Sequence, residues 1–258
     1  MTGLYGTLTY PPDRRLGTPG SEKEFPAMAF HHCKEVGQKV GLRFTLSAHN
    51  IADIDGILDF IETEEIDRVC FYHLVYSGRG SDVVDVTHED TRRALYKIID
   101  RTARWADAGT PREVLTVDQP ADGAYIYMRM LRENPEGAAA ALDLLRWNGG
   151  GKNASGTALA NIDTLGKVHP DQFWQSLTLG NVKEQKFSDI WTRSKDATLA
   201  QLRDPAQSPG GKCADCQFLS ICGGGFRVRT LQVHGEVWAP DPACYLTEAE
   251  TQATHAVA

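Results

Sequence analysis

The chain has 258 residues, of which 41% are hydrophobic, and a formal net charge of −7 at pH 7. This hydrophobic content supports a core large enough for one or two domains and excludes global disorder. The acidic balance argues against nucleic-acid binding through general basicity. No segment approaches the roughly 18 consecutive apolar residues of a transmembrane helix, and the N-terminus lacks the pattern of a secretory signal. We therefore expect a cytoplasmic protein with no membrane segment, whose thiols stay reduced.

Helical and extended patterns alternate through the first half of the chain. Helices are predicted at 24–39, 53–66, 87–109, 122–134 and 136–147, and strands at 40–47, 68–76 and 112–117. This alternation is typical of βαβ units and a parallel sheet, and the fold class is α/β. Because three strands are too few for a covered parallel sheet, we expect the last part of a larger sheet or barrel.

The composition changes at "WNGGGKNASGTAL", where glycine, serine and asparagine replace the helical pattern. We place a domain boundary there, which gives an atypical N-terminal segment (1–20), a barrel-like part (21–147) and a second domain (148–258). In the second domain, "NIDTLGKVHP" predicts a hairpin and "FSDIWTRS" a short helix with Ser188 as its N-cap.

Four cysteines fall close together in the second domain, in the pattern Cys213-x2-Cys216-x5-Cys222-x21-Cys244. We call them the four clustered cysteines. Four thiolates suit a tetrahedral zinc ion or a cubic iron–sulfur cluster, and four unrelated buried or disulfide-bonded cysteines are the remaining alternative. The glycines after Cys222 favour a cluster, because backbone N–H groups that approach closely can donate to its sulfides. The other two cysteines, Cys33 and Cys70, lie on a helix and in a strand and are interpreted as core residues.

The segment "NIDTLGKVHPDQFWQSLTLGNVKEQKFSDIW" followed by "CADCQFLSICGGGFRVR" resembles the SPASM or twitch extension of radical SAM enzymes. The Gly-Asn turn, the Ile-Trp helix and the cysteine pattern carry the likeness. The strings "KVGLRFTL", "HLVYSGRG", "GGKNASG" and "VHPDQFW" add a closer resemblance, over about residues 24–246, to the NirJ-type radical SAM proteins of heme d1 biosynthesis.

This resemblance implies a fold, a reaction and cofactors. The fold is the C-terminal part of a partial (β/α)6 barrel followed by a SPASM/twitch domain, in which the four clustered cysteines hold one auxiliary [4Fe–4S] cluster. The reaction acts on propionate side chains of a siroheme-derived tetrapyrrole, 12,18-didecarboxysiroheme. S-adenosyl-L-methionine and a second [4Fe–4S] cluster belong to the full-length enzyme.

The chain departs from the family because it contains no CxxxCxxC motif, which in the family binds the cluster that reduces S-adenosylmethionine. We therefore expect the chain to be inactive alone. It would require an N-terminal half in trans and an electron donor, or be a non-catalytic iron–sulfur module; a zinc-binding structural domain is the further alternative.

Candidate substrate residues lie where predicted strands end, since reactive groups of parallel barrels sit at that edge. The strand 68–76 ends with Tyr72, His73 and Tyr76, and Arg79 follows; its forked guanidinium matches a propionate. By resemblance this loop faces the tetrapyrrole. A core histidine and a surface arginine are the alternatives.

Other candidates rest on the resemblance. It implies that Asn50 contacts S-adenosylmethionine, with a helix N-cap as the alternative. His169 and Asp171 stand where the family has a cysteine, and would line the substrate cavity. Trp174 is interpreted as core rather than as a stacking platform. Two further arginines, Arg227 and Arg229, either form a solvated face or offset the thiolate charge.

Overall fold

The computed structural model describes residues 6–9, 24–148, 154–204 and 206–252, with the backbone alone for 6–9 and 24–29. The strands are β1 (Gly6–Thr9), β2 (Val40–Thr45), β3 (Arg68–Tyr72), β4 (Glu113–Val117), β5 (Asn161–Ile162), β6 (Lys167–His169) and β7 (Gly180–Asn181). The helices are α1 (Glu24–Glu35), α2 (Ile54–Thr63), α3 (His88–Asp107), α4 (Ala121–Glu133), α5 (Pro135–Trp147), α6 (Phe187–Arg193), α7 (Ala197–Arg203), α8 (Leu219–Cys222), α9 (Arg227–His234) and α10 (Glu248–Gln252). Short 3-10 turns occupy Ile51–Asp53, Gly78–Asp82 and Gly211–Cys213.

The chain divides into two compact units. The first contains Met1–Leu74 and Val83–Asp118, and the second contains Val75–Asp82 and Gln119–Ala258. Helices α4 and α5 pack against each other and against α8 within the second unit. This division lies earlier in the chain than residue 148, because the two helices share contacts with the cysteine region rather than with the sheet. The boundary at 148 between a barrel part and a second domain stays a prediction.

The first unit is built on a parallel sheet in the order β1-β2-β3-β4. Each neighbouring pair is parallel, and the register aligns Thr45 with Tyr72 and Tyr72 with Val117. The prediction of a parallel sheet is thus correct, but it lacked β1. The strand "GTLT" is too short and too weakly apolar to be recognised without its partner β2.

The core of the first unit forms because the apolar positions of its helices share one face. In α2, Ile54, Ile57, Leu58 and Ile61 recur at helical spacing, and all four are buried. They join Phe44, Phe71 and other side chains of β2 and β3 in one cluster. Helix α3 begins at the predicted cap, since Thr87 Oγ1 accepts a hydrogen bond from Asp90 N.

The second unit begins with α4 and α5 and continues through a small antiparallel sheet in the order β5-β6-β7. Strands β5 and β6 form the predicted hairpin. The predicted cap at Ser188 is wrong, because α6 begins at Phe187 and the residue before it, Lys186, makes no side-chain cap. The buried core of this unit includes a cluster of Val75, Trp174, Leu202, Val228 and Val237. Within the described residues, no helix combines the length and the apolarity needed to cross a bilayer.

Candidate metal centre

Three short turns present the first three of the four clustered cysteines. The 3-10 turn ends at Cys213, and Cys216 N donates to Cys213 O at 3.2 Å. Helix α8 then ends at Cys222, whose N–H donates to Phe218 O at 2.8 Å. These tight turns follow from the short spacings and bring three thiols together within ten residues of chain.

All four clustered cysteines line a single pocket, which we call the cysteine pocket. Its other lining residues are Gln119, Lys212, Leu219, Gly224, Gly225, Leu246 and Thr251. Cys213, Cys222 and Cys244 are buried and Cys216 is half-buried. Four thiols in a pocket with leucine side chains and glycine backbone are a donor set that fits a cubic iron–sulfur cluster, which takes one thiolate per iron.

Burial raises the pKa of three of these thiols. The pKa of Cys222 is raised to about 12, first by burial and then by the neighbouring thiol of Cys244. Burial followed by Cys244 also raises the pKa of Cys213, and burial raises that of Cys216. These three thiols are therefore harder to deprotonate than an exposed cysteine, and ligation must release their protons. All four thiols line the same pocket, so a charge on one acts on the others.

Asp241 links the loop after Cys222 to the turn before Cys244. Its carboxylate accepts hydrogen bonds from Phe226 N at 2.6 Å and from Ala243 N at 3.0 Å. Cys244 N in turn donates to Asp241 O at 3.0 Å. Asp241 and Arg229 are both buried, and Arg229 Nη2 lies 2.7 Å from Asp241 Oδ2. Burial alone would raise the pKa of Asp241, but Arg229 and the two backbone donors hold it below the usual range.

Three successive glycines, Gly223, Gly224 and Gly225, follow Cys222 with φ angles of 64°, 81° and 88°. Two of them also have no room for a side chain. A Cβ at Gly224 would stand 2.3 Å from Pro209 Cγ, and one at Gly225 would stand 2.3 Å from Asp241 Oδ2. Left-handed backbone and close packing together explain the glycine run that the sequence presents.

Arg227 is 1% exposed, so the alternative of a solvated arginine face is wrong. Its guanidinium donates to Val237 O at 3.0 Å and to Ala239 O at 3.1 Å, and it also donates to the carbonyls of Gly224 and Gly225. The guanidinium thus holds residues 223–225, which we call the glycine loop, against the segment that leads towards Cys244.

Among the described residues, no group of three or more His, Cys, Asp or Glu side chains is arranged to hold a single metal ion. The assignment of the four clustered cysteines as ligands therefore stays a prediction, supported by their shared pocket. Cys33 and Cys70 are half-buried and lie in the first unit, on α1 and β3.

Asn50, Tyr72 and His73 all lie at the carboxyl edge of the parallel sheet, as their positions after β2 and at the end of β3 predict. The side chain of Asn50 is buried; it accepts from Ser47 N at 3.0 Å and donates to Thr45 O at 2.9 Å. Asn50 makes no side-chain cap for the 3-10 turn that follows it. Its two hydrogen bonds instead order the loop after β2. Arg43 stacks on the Tyr72 ring, with its Cζ 4.3 Å from the ring centre.

Tyr76 and Arg79 lie in a loop of the second unit that contacts the segment after β6. Ser77 Oγ donates to Phe173 O at 2.6 Å. Arg79 is exposed and forms no ion pair within the described part of the chain. Its guanidinium is therefore available to an anionic ligand.

His169 and Asp171 are buried and have partners inside the second unit. His169 Nδ1 is 2.7 Å from Leu177 O, and its Nε2 is 3.5 Å from Asp163 Oδ2. Asp171 accepts from Phe173 N at 2.6 Å and from the hydroxyl of Ser155. Trp174 is fully buried in the core, as predicted. These contacts favour a structural role for both polar residues, and their contact with substrate stays a prediction.

The sequence did not single out Gln119, Lys212 or Asp241. Gln119 Nε2 donates to Ala243 O at 2.8 Å and Lys212 Nζ donates to Cys244 O at 2.8 Å, so both hold the turn of the fourth cysteine. The motif "DPAC" offered a signal for Asp241, because an aspartate side chain in a turn often accepts a hydrogen bond from the backbone N–H two residues later. Gln119 had none, because it stands far from the cysteines in sequence.

The comparisons with known proteins agree with this geometry. A model of the SPASM family, described as an iron–sulfur cluster-binding domain, matches residues 155–217. A Fe-coproporphyrin III synthase of Methanosarcina barkeri is 48% identical over 225 residues, which cover 85% of this chain and 56% of that protein. The chain belongs to the radical SAM/SPASM family. A pre-heme d1 synthase of Dinoroseobacter shibae is 42% identical over 224 residues, with 85% and 54% covered.

The fold also has a solved counterpart. The crystal structure of Streptococcus suis SuiB bound to S-adenosylmethionine matches with a TM-score of 0.63 and 17% identity, over 94% of this chain and 54% of that one. The predicted fold class, a radical SAM barrel part followed by a SPASM domain, is confirmed. The chain spans about half the length of the curated relatives it matches.

Proposed function

We propose that the four clustered cysteines of the SPASM domain hold one auxiliary [4Fe–4S] cluster. The observation that carries this proposal is their convergence on one largely buried pocket. The glycine loop, Arg227 and Asp241 hold the segments that present the thiols. A bound cluster would supply one-electron transfer. Because each iron would have its own thiolate ligand, no iron would keep an open coordination position for a substrate atom.

The test is anaerobic reconstitution of the chain with iron and sulfide. We expect about four irons per chain and broad absorbance near 400 nm. A colourless protein that binds one zinc ion would replace the cluster with a structural zinc site. Neither metal bound at stoichiometric level would mean that the four cysteines are not ligands.

For the whole enzyme, we propose a radical SAM reaction of heme d1 biosynthesis on propionate side chains of a siroheme-derived tetrapyrrole, 12,18-didecarboxysiroheme. The support is the 42% identity to a pre-heme d1 synthase. The 258 residues contain no CxxxCxxC motif. S-adenosylmethionine, a second [4Fe–4S] cluster and an electron donor would therefore act with a segment that carries this motif, in the same polypeptide or in trans.

The chain offers candidate contacts for these ligands. Arg79 is an exposed guanidinium that matches a propionate, and Tyr76 lies in the same loop. Tyr72 and His73 lie at the sheet edge where barrel enzymes bind their substrates, and Asn50 lies there as a candidate contact of S-adenosylmethionine.

A second candidate is synthesis of Fe-coproporphyrin III, because the relative of that name is 48% identical. The product distinguishes the two. The chain would be combined with a CxxxCxxC-bearing segment, S-adenosylmethionine, dithionite and 12,18-didecarboxysiroheme, and the tetrapyrroles identified by mass spectrometry. Pre-heme d1 would support the first reaction and Fe-coproporphyrin III the second. Unchanged substrate alongside full cluster loading would contradict both.

A further inference from the structure

Two positively charged side chains, Lys212 and Arg227, stand at the cysteine pocket. Neither forms an ion pair among the residues that the structure describes, since both donate to backbone carbonyls instead. Arg229 differs, because Asp241 neutralises its charge in a buried pair. Lys212 and Arg227 are therefore two cations at the cysteine pocket that no ion pair within the described residues neutralises.

Each cation faces a different part of the cysteine pocket. Arg227 donates to the carbonyls of Gly224 and Gly225, which line the pocket, and it interacts electrostatically with Cys213 and Cys222. Lys212 lines the pocket itself and donates to Cys244 O. Its positive charge also interacts electrostatically with Cys213 and Cys216. Together the two cations reach all four clustered cysteines.

Burial strengthens this effect. Arg227 is 1% exposed, and charges act more strongly at low dielectric constant than in water. Burial lowers the pKa of its guanidinium, but the coulombic effects of Asp241, Cys213 and Cys222 oppose that shift. Arginine keeps its proton under such conditions, so it provides a permanent charge.

We propose that Arg227 and Lys212 set the reduction potential of the auxiliary cluster by stabilising its reduced form. The inference rests on the proposed binding of that cluster. Reduction adds one electron, supplied in vitro by dithionite, to a cluster whose four thiolates already make it negative. A nearby cation stabilises the more negative state more strongly, and thus raises the potential.

Arg227 also holds the glycine loop, so a purely structural role must be separated from the electrostatic one. Arg227→Gln removes the charge and leaves a hydrogen-bonding side chain, whereas Arg227→Lys keeps the charge and loses the guanidinium fork. Lys212→Gln removes a half-buried charge that makes a single backbone hydrogen bond. Arg193→Gln is the matched control, since its side chain is 79% exposed and belongs to the same unit.

The experiment is a potentiometric titration with dithionite of each reconstituted chain, followed by EPR, after iron content and absorbance have established cluster loading. We expect Arg227→Gln and Lys212→Gln to shift the midpoint to lower potential. Arg227→Lys and Arg193→Gln should stay close to the unsubstituted chain. Unchanged midpoints in the two Gln variants, or an equal shift in Arg193→Gln, would overturn the proposal.

Two further outcomes are also decisive. If Arg227→Gln fails to load, Lys212→Gln decides: a lowered potential supports the electrostatic role and an unchanged one refutes it. If the unsubstituted chain does not load at all, the proposed cluster itself is refuted, and this inference falls with it. Loading with unshifted potentials refutes only the role of the two cations.

Discussion

The side chain of Asp241 connects two segments of the cysteine region. It accepts from Phe226 N after the glycine loop and from Ala243 N before the fourth cysteine, while Arg229 supplies the opposite charge. Both charged groups are fully buried. A buried carboxylate with this many donors contributes order rather than simple attraction, because it fixes where Cys244 lies relative to Cys222.

We expect Asp241→Asn to lower the free energy of unfolding by about 3 kcal/mol, because it replaces the carboxylate of a buried ion pair with a neutral amide. Chemical denaturation of the metal-free chain measures this. The control is Asp189→Asn, whose ion pair with Arg193 is largely exposed and should contribute less than about 1 kcal/mol. Similar losses in both variants would contradict the assignment of Asp241 as the linking residue.

A second prediction at this scale concerns the ligands themselves. Cys222→Ala should lose the cluster, because it removes one of four thiolates from the pocket. Cys33→Ala should keep it, since Cys33 lies on α1 in the other unit. Iron content after anaerobic reconstitution is the measurement. Equal iron loss from both variants would refute the ligand set.

At the scale of elements, the glycine loop connects α8 to α9 through three left-handed residues. Gly224 and Gly225 of this loop line the cysteine pocket, and α9, which follows, carries the buried Arg227 and Arg229. The conformation and the crowding of this loop are separate constraints, and substitution can distinguish them.

Gly225→Ala should be more destabilising than Gly235→Ala. Both glycines are left-handed, with φ angles of 88° and 71°, so alanine costs roughly 1 kcal/mol of backbone strain at either. A Cβ at Gly225 also meets Asp241 at 2.3 Å, whereas one at Gly235 meets nothing within 4 Å. Thermal unfolding of the two variants gives the comparison. A Gly235→Ala loss as large as that of Gly225→Ala would show that strain alone matters.

The elements themselves could largely be predicted from sequence, and their long-range partners could not. Helix α3 has a capping threonine and a regular apolar face, so local rules were enough to place it. Strand β1 was missed because its four residues gain their stability from β2 and not from their own pattern. Ser188 was a good cap candidate by type, but α6 begins one residue earlier.

The candidate site shows the same difference between local and distant information. The cysteine pattern identifies four thiols because three of them are separated by short turns. The burial of Arg227, the Asp241 bridge and the position of Gln119 depend on packing between distant segments, which spacing does not encode. The buried partners of His169 and Asp171 were hidden for the same reason.

For the whole molecule, the two compact units carry different parts of the proposed function. The first holds the parallel sheet and the candidate edge residues, and the second holds the four clustered cysteines and the loop with Arg79. Metal ligation should therefore stabilise the second unit directly, because binding free energy adds to the stability of the segment that forms the site.

Hydrogen exchange followed by mass spectrometry tests this expectation on the full chain. Reconstitution should slow amide exchange from α8 through Cys244 and leave the strands β2 and β3 unchanged. The chain treated with a chelator is the control. Equal slowing in both units would contradict the separation, and no slowing in the cysteine segment would mean that ligation does not order it.

The position of the fourth cysteine also affects the order of events during synthesis. Cys213, Cys216 and Cys222 leave the ribosome together, whereas Asp241 and Cys244 follow about one to several seconds later at ordinary rates of translation. Until then the Asp241 carboxylate is absent beside Arg229, and the growing chain presents three thiols without the fourth. Co-translational folding of the second unit can therefore finish only after the segment from Asp241 onward has emerged.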